Sequence, residues 1–365
     1  MPELSIVVPT FNERPNLEPF VAAVARALGE LDYEIVFVDD DSPDATSDAA
    51  RALAQANPRV RLLHRIRRRG LSSAVIEGLL STSAPFLAVM DADLQHDESI
   101  LPAMLKRLRE EEIDVVVASR HVEGGGMGEF SSDRVALSNL GRALGRRLCH
   151  ADVSDPMSGF FALRREYFHQ VVHQLSGVGF KILLDLLASA RRPVRLAEVG
   201  YVFRPRRAGA SKLDVVVGLE YLELLLDKAA GGSVPVGYLL FGLVGAAGVG
   251  FNFTVAALVA AAGVSFAWAQ VCGALSTITF NYFLNNSLTF RALRMRGAAL
   301  WRGLLGFHVA CSIGLAAQLA VALSLKEHGL PAALATLAGV VIGSVWNYSM
   351  SAIFVWRVRR RVGTL

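Results

Sequence analysis

Cysteine is scarce in this 365-residue sequence: Cys149, Cys272 and Cys311 stand far apart, two of them in apolar stretches. That excludes a disulfide framework and offers no zinc-ligand spacing. Charge is missing from one long stretch, since Ala229 to Phe290 contains no Asp, Glu, Lys, Arg or His. The opening "MPELSIVVPT" lacks a basic region ahead of an apolar core, so no signal peptide is expected. The positive excess is only +4 and the arginines fall in short runs, which argues against a nucleic-acid partner.

What is present in excess is hydrophobicity: 53% of residues are hydrophobic and the mean hydropathy is +0.40, too high for an ordinary soluble enzyme. Nearly all Asp and Glu precede Lys228, so a soluble-looking part is followed by a membrane part. The expected divisions are 1–210, an amphipathic segment at 211–232 and a membrane domain at 233–365. The segment at 211–232 suits either a membrane surface or a terminal core helix of the soluble part.

In the first half, β-branched runs at 4–10, 33–41, 59–65, 85–93 and 113–120 read as buried strands. Between them, 16–31, 45–57, 71–82 and 98–111 carry apolar residues at helical spacing. The alternation predicts an α/β domain with a mostly parallel sheet, whose ligands bind at the carboxyl ends of the strands. Asn12, Glu13, Asp39 to Asp41, Asp91, Asp93 and Arg120 stand at those ends. In the second half, 238–261, 267–290, 304–325 and 331–356 are each long enough to cross a bilayer of about 30 Å. Arginines gather at 291–302 and after 356, and the opposite loops carry few charges. The positive-inside rule then places both termini, the soluble domain and the 291–303 loop on the cytoplasmic side of the cell membrane.

The run "VMDADLQHD" (89–97) ends a strand on two carboxylates one residue apart. On extended chain Asp91 and Asp93 project to one side and repel unless a cation or proton lies between them. Mg²⁺ or Mn²⁺, with substrate phosphates completing its shell, meets that need, and Gln95 offers a further oxygen. The rival reading is a helix cap, for which Asp97 is better placed. In "VDDDSPDAT" (38–46), Ser42 and Asp44 suit a turn and cap, leaving Asp39 or Asp40 to accept hydrogen bonds from a base or ribose. His64, His96 and His121 are expected on the surface or behind the site. Arg65, Arg67, Arg68 and Arg69 suit a solvated loop or a membrane-facing patch equally. "GGGMG" (124–128) suits a flap over the donor.

Taken in order, "PTFNE" (9–13), "VDDDSPD" (38–44), "GLSSAV" (70–75), "MDADLQH" (90–96), "SR" (119–120), "DPMSGFFALRR" (155–165), "GFK" (179–181) and "SKL" (211–213) resemble the dolichol- or polyprenol-phosphate mannosyltransferases. These belong to the inverting family 2 glycosyltransferases. The later spans resemble the GtrA-like four-helix membrane domain fused to some of them. The resemblance implies a GT-A fold, Mg²⁺ or Mn²⁺, a GDP-mannose donor and a polyprenyl phosphate acceptor. It implies that Pro9, Phe11, Glu13, Val38 and Asp40 line the nucleotide pocket, with Phe11 where the family usually has Tyr. Asp91, Ala92, Asp93 and Gln95 hold metal and diphosphate on this reading. Arg120, Arg134 and Ser138 match acceptor-phosphate positions, and Lys181, Arg204 and Lys212 match donor-diphosphate positions. Asp185 falls where relatives often carry Glu. A glucosyltransferase using UDP-glucose is the nearest alternative, and a lipid-linked sugar flippase is one from another class. A processive synthase is disfavoured, because the Gln-x-x-Arg-Trp pattern of such enzymes is absent.

Overall fold

The computed structural model describes residues 1–126, 145, 148–177, 179–204, 221, 223–228 and 235–357. The chain forms two compact units, Met1–Gly232 and Ser233–Leu365.

The first unit is built on a seven-stranded sheet in the order β3-β2-β1-β4-β6-β5-β7. The strands are β1 (Leu4–Thr10), β2 (Tyr33–Asp39), β3 (Val60–His64), β4 (Phe86–Val89), β5 (Val115–Ser119), β6 (Phe161–Arg164) and β7 (Leu196–Gly200). All pairs are parallel except those of β6, which runs antiparallel between β4 and β5. The sheet is therefore mixed, and two of its strands lie beyond the five runs expected from sequence. Both are short, and β7 is only partly buried, so neither shows the long apolar run that marks a central strand.

Side chains of β1 alternate between two cores, as the period of a strand requires. Ile6 and Val8 pack with helices α1 (Leu17–Leu28) and α4 (Leu101–Glu110). Val7 faces α3 (Leu71–Leu80), α5 (Arg165–Val171) and α6 (Ile182–Ala188) on the other side. Helix α2 (Thr46–Ala56) adds Ala50 to the first core. Gly78 lets α3 lie close on the sheet: a Cβ there would be 2.9 Å from Val38 Cγ2 and closer still to Val7. Gly78→Ala should therefore destabilise this unit by about 1–3 kcal/mol through overpacking; an unchanged thermal midpoint would contradict that close approach.

β1 and β2 pair from Leu4 with Tyr33 to Thr10 with Asp39, so their carboxyl ends are level. Because β6 is antiparallel, the segment before it, 155–160, arrives at that same edge. The described part of the juxtamembrane segment, 223–228, is helical and belongs to this unit, with Leu224 buried. Its chemistry there is that of a domain helix.

The second unit holds four long helices, α7 (Val236–Ala261), α8 (Phe266–Ser287), α9 (Ala298–Glu327) and α10 (Ala332–Met350). A π-helical turn, Ser351–Val355, continues the last. Among the described residues, three segments are long and apolar enough to cross a membrane: Val236–Ala261, Ala298–Glu327 and Leu337–Val355. Helix α8 has the length but carries Gln270, Thr277, Thr279, Asn281, Asn285 and Asn286, which lower its hydropathy.

Candidate active site

The strand stops short of both Asp91 and Asp93. β4 ends at Val89, and Asp93 lies in a turn that continues through Leu94, a left-handed residue at φ 61°. The side-to-side argument from a strand therefore fails at Gln95. The backbone N–H of Gln95 donates to Asp93 Oδ1 at 3.2 Å, and its side-chain amide donates to the carbonyl of Arg204 at 3.1 Å. Asp93 is buried, while the Asp91 side chain is 40% exposed. A Cβ on Gly159 would meet Asp91 Oδ2 at 2.8 Å, so only glycine lets that carboxylate pack so close to the 155–160 segment.

His96 backs this turn. Its ring stacks on Phe160 with centroids 5.4 Å apart and meets Tyr201 and Phe203 edge-on. Burial pushes the imidazole down to about 4, so the ring is neutral at ordinary pH. Its Nδ1 accepts the Asp91 backbone N–H at 3.3 Å. This residue is a full core member that shapes the acidic turn from behind.

The cations come from other elements. Arg120, just past β5, donates through Nε and Nη2 to Asp155 Oδ2 at 3.0 and 2.7 Å, and its guanidinium lies 5.3 Å from the Phe203 ring centre. Asp155 is buried and also accepts the Met157 N–H. Sequence reasoning quoted its motif without giving it a role, because its partner is 35 residues away. Lys181 reaches the carbonyl of Met157 at 3.3 Å, and burial lowers its ammonium, with Asp155 and Asp91 opposing that and Arg120 adding to it. The Tyr201 hydroxyl is raised by burial and feels Arg120, Asp155, Asp91 and Asp93 together. Arg120, Asp155 and Asp91 thus lie within electrostatic reach of both Lys181 and Tyr201, and Asp93 within reach of Tyr201.

The neighbouring strand tips divide their work. Asp39 is buried and accepts from Ser42 N–H, Ser42 Oγ and Thr10 Oγ1, so it ties the loop. Asp40 takes Arg65 Nη1 at 2.6 Å and Gly70 N–H at 2.7 Å; burial raises its carboxyl, with those two partners opposing the rise. Arg65 is buried, which overturns both the solvated-loop and the membrane-patch reading for that residue. Arg69 instead lies over the Phe11 ring at 4.4 Å. Asp97 caps the 3-10 turn Glu98–Ile100 ahead of α4 by accepting the Ser99 N–H. Asp44 accepts the Thr46 N–H across a turn, but the N-cap position of α2 is Ala45, a left-handed residue, so the expected Asp44 cap does not form. Glu13 Oε2 accepts from Asn16 Nδ2 at 2.7 Å. Pro9 pairs in register with Val38, whose side chain is buried toward α3, and Ala92 is buried as well. Arg204 forms ion pairs with Asp97 and Glu98 at 2.6 and 2.7 Å. Arg134, Ser138, Lys212 and the end of the glycine run at 127–128 lie outside the described residues. The described glycines are tied down: Gly126 N–H donates to Tyr201 O, and Phe203 N–H to Gly126 O.

Among the described residues no three His, Cys, Asp or Glu side chains form a metal cage. A Mg²⁺-type ion held by one or two carboxylates and completed by substrate phosphates needs none. The part-exposed Asp91 carboxylate, with the Asp93 carboxylate two residues on, is a donor set that fits that kind of ion.

An acidic turn and cations stand at the carboxyl edge of a mostly parallel sheet, and long apolar helices follow in the chain, the make-up of a membrane protein with an α/β domain. Residues 5–172 match the family described as glycosyl transferase family 2, and residues 240–356 match the GtrA/DPMS transmembrane domain. The chain is 34% identical over 356 residues to a dolichol-phosphate mannosyltransferase of Pyrococcus furiosus, covering 97% of this chain and 99% of that one. It is 36% identical over 253 residues to the dolichol-phosphate mannosyltransferase of Mycosarcoma maydis, covering 67% and 85% of the two chains. A crystal structure of glucosyl-3-phosphoglycerate synthase from Mycobacterium tuberculosis, with Mn²⁺, UDP-glucose and phosphoglyceric acid, aligns at 21% identity and a TM-score of 0.47 over 63% of this chain and 80% of that one. The chain belongs to the family 2 glycosyltransferases, within the group that carries a GtrA/DPMS transmembrane domain. It is a glycosyltransferase and a membrane protein.

Proposed function

We propose that the chain transfers mannose from GDP-mannose to the phosphate of a polyprenyl lipid on the cytoplasmic side of the membrane, with inversion at the anomeric carbon. The observation that carries this reading is the likeness, along nearly its whole length and through both units, to a relative named for that reaction. The acceptor phosphate is anionic near neutral pH and needs no general base to become a nucleophile. The chain's own task is to orient two anions and to stabilise the departing nucleoside diphosphate. Arg120, held by Asp155 in a planar clamp, orients the acceptor phosphate. Lys181 supplies positive charge toward the donor diphosphate. Asp91 and Asp93 would hold a divalent cation, which when bound neutralises diphosphate charge. Phe11 offers a face to the base, on the ring that Arg69 covers. Asp40 would reach the ribose through the carboxylate that Arg65 and Gly70 orient. Arg134 and Ser138 complete the acceptor site and Lys212 the donor site on this reading. For Arg204 to join the donor site, its pairs with Asp97 and Glu98 must open.

The test is to give the membrane-reconstituted protein radiolabelled GDP-mannose or UDP-glucose, with polyprenyl phosphate and Mg²⁺. Label should pass into the lipid phase from GDP-mannose. Transfer from UDP-glucose alone would move the assignment to a glucosyltransferase, and lipid label from neither donor would sink the reading.

A further inference from the structure

The membrane unit is a duplication. A shift of 66 residues lays 236–291 on 302–357 without a gap. It pairs Gly237 with Gly303, Phe241 with Phe307, Gly248 with Gly314, Gly273 with Gly339, Asn281-Tyr282 with Asn347-Tyr348 and Arg291 with Arg357. The contacts repeat with the sequence. Within the first hairpin (α7 and α8) Gly248 leaves no room for a Cβ against Asn281, as Gly314 leaves none against Asn347 in the second (α9 and α10). Gly273 packs on Asn252 and Ala256, and Gly339 on the equivalent Gln318 and Ala322. Between hairpins the contacts are reciprocal: Gly237 meets Tyr348 and Gly303 meets Tyr282. Phe241 lies 5.7 Å from Tyr348, and Phe307 lies 5.7 Å from Tyr282. Phe290 and Trp356, each other's equivalents, stack at 4.3 Å. Reciprocity of this kind is the signature of a two-fold interface. Each copy has two helices, so the copies run in the same direction.

Two seams, α8 against α9 and α7 against α10, are therefore related by the repeat, and their differences are informative. At the first, Thr279 Oγ1 and His308 Nε2 lie 3.1 Å apart; the other copy has Val345 and Gly242 at those positions. Thr279 directs its hydroxyl proton to Leu275 O at 3.0 Å, the usual back-bond of a helical threonine. Its oxygen is then the acceptor and His308 Nε2–H the donor. A neutral ring in that tautomer presents Nδ1 as an acceptor. Inside a bilayer such an acceptor needs a donor, and an intramembrane histidine marks a binding path more often than a packing site.

We propose that the α8/α9 seam, through His308 Nδ1 beside Thr279, binds a hydroxyl-bearing lipid head group. Two sources share that chemistry: a sugar carried on a polyprenyl phosphate, or the glycerol head of phosphatidylglycerol. The full-length protein, in detergent with either mannosyl-phosphoryl-polyprenol or phosphatidylglycerol, is examined by native mass spectrometry, with phosphatidylmethanol, an anionic phosphodiester with no hydroxyl, as the control. Two variants install the residues of the other seam, Thr279→Val and His308→Gly. For whichever hydroxylated lipid is the ligand, both should release one bound lipid per chain or weaken its retention about tenfold, while phosphatidylmethanol is unaffected. Melting temperature and sugar transfer to a short soluble acceptor phosphate are followed alongside to show that the variants fold. Unchanged retention of both hydroxylated lipids in folded variants, or equal retention of phosphatidylmethanol by the unaltered protein, would overturn the proposal. The mannosyl arm rests on the proposed function and the phosphatidylglycerol arm does not. Failure of the donor assay would therefore leave the seam testable, and failure at the seam would leave the transferase reading intact.

Discussion

Asp91→Asn and Asp93→Asn should each lower sugar transfer by about three orders of magnitude, equivalent to about 4 kcal/mol of lost transition-state stabilisation. The amide keeps the size of the side chain and, at position 93, an oxygen for the Gln95 N–H. Stability should therefore change little, and the thermal midpoint is the control. The readout is initial rate against Mg²⁺ concentration. If the carboxylates hold the ion, the variants should also require more metal to reach half-maximal rate. Activity within a few-fold of the unaltered protein, at the same metal requirement, would remove these residues from the site.

The second large effect lies away from the chemistry. Lys228 and Asp185 form a buried ion pair at 2.6 Å, both side chains almost wholly shielded from solvent. Lys228 also donates to Gln174 O and Ser189 Oγ, while Asp185 accepts from Ser176 and Gly177 N–H. This pair fastens the helical stretch 223–228 to α6 and to the loop that leads into Lys181. Lys228→Met leaves a carboxylate buried without its counter-charge, which should cost about 3–5 kcal/mol. Hydrogen exchange in α6 would report it as a loss of protection of at least about a hundredfold. Asp185→Asn combined with Lys228→Met should lose less than the two single losses together, because no lone charge remains. Additive losses would show that the two groups are not energetically paired.

What was legible has local signals. Acids at strand ends, the Asp97 cap and the change in composition near Lys228 can each be read within a few residues. The antiparallel strand β6 was not, since nothing in "FALR" tells a strand which neighbours it will pair with. Asp155 escaped for the same reason: its meaning is Arg120, which the sheet brings beside it. Arg65 reads as one member of an exposed basic run, and only the fold shows that Asp40 and Ser73 wait for it in the interior. The same limit affects Asp39, whose bonds to Ser42 and Thr10 only the fold shows.

The sequence by itself determined the two-part architecture, the family and the acidic turn, because composition, periodicity and short motifs act over a few residues or over whole segments. Tertiary structure decided which charges are available to a substrate and which are already paired. In a low-dielectric interior a charge takes the partner within reach, and which partner is within reach is a property of the packed fold.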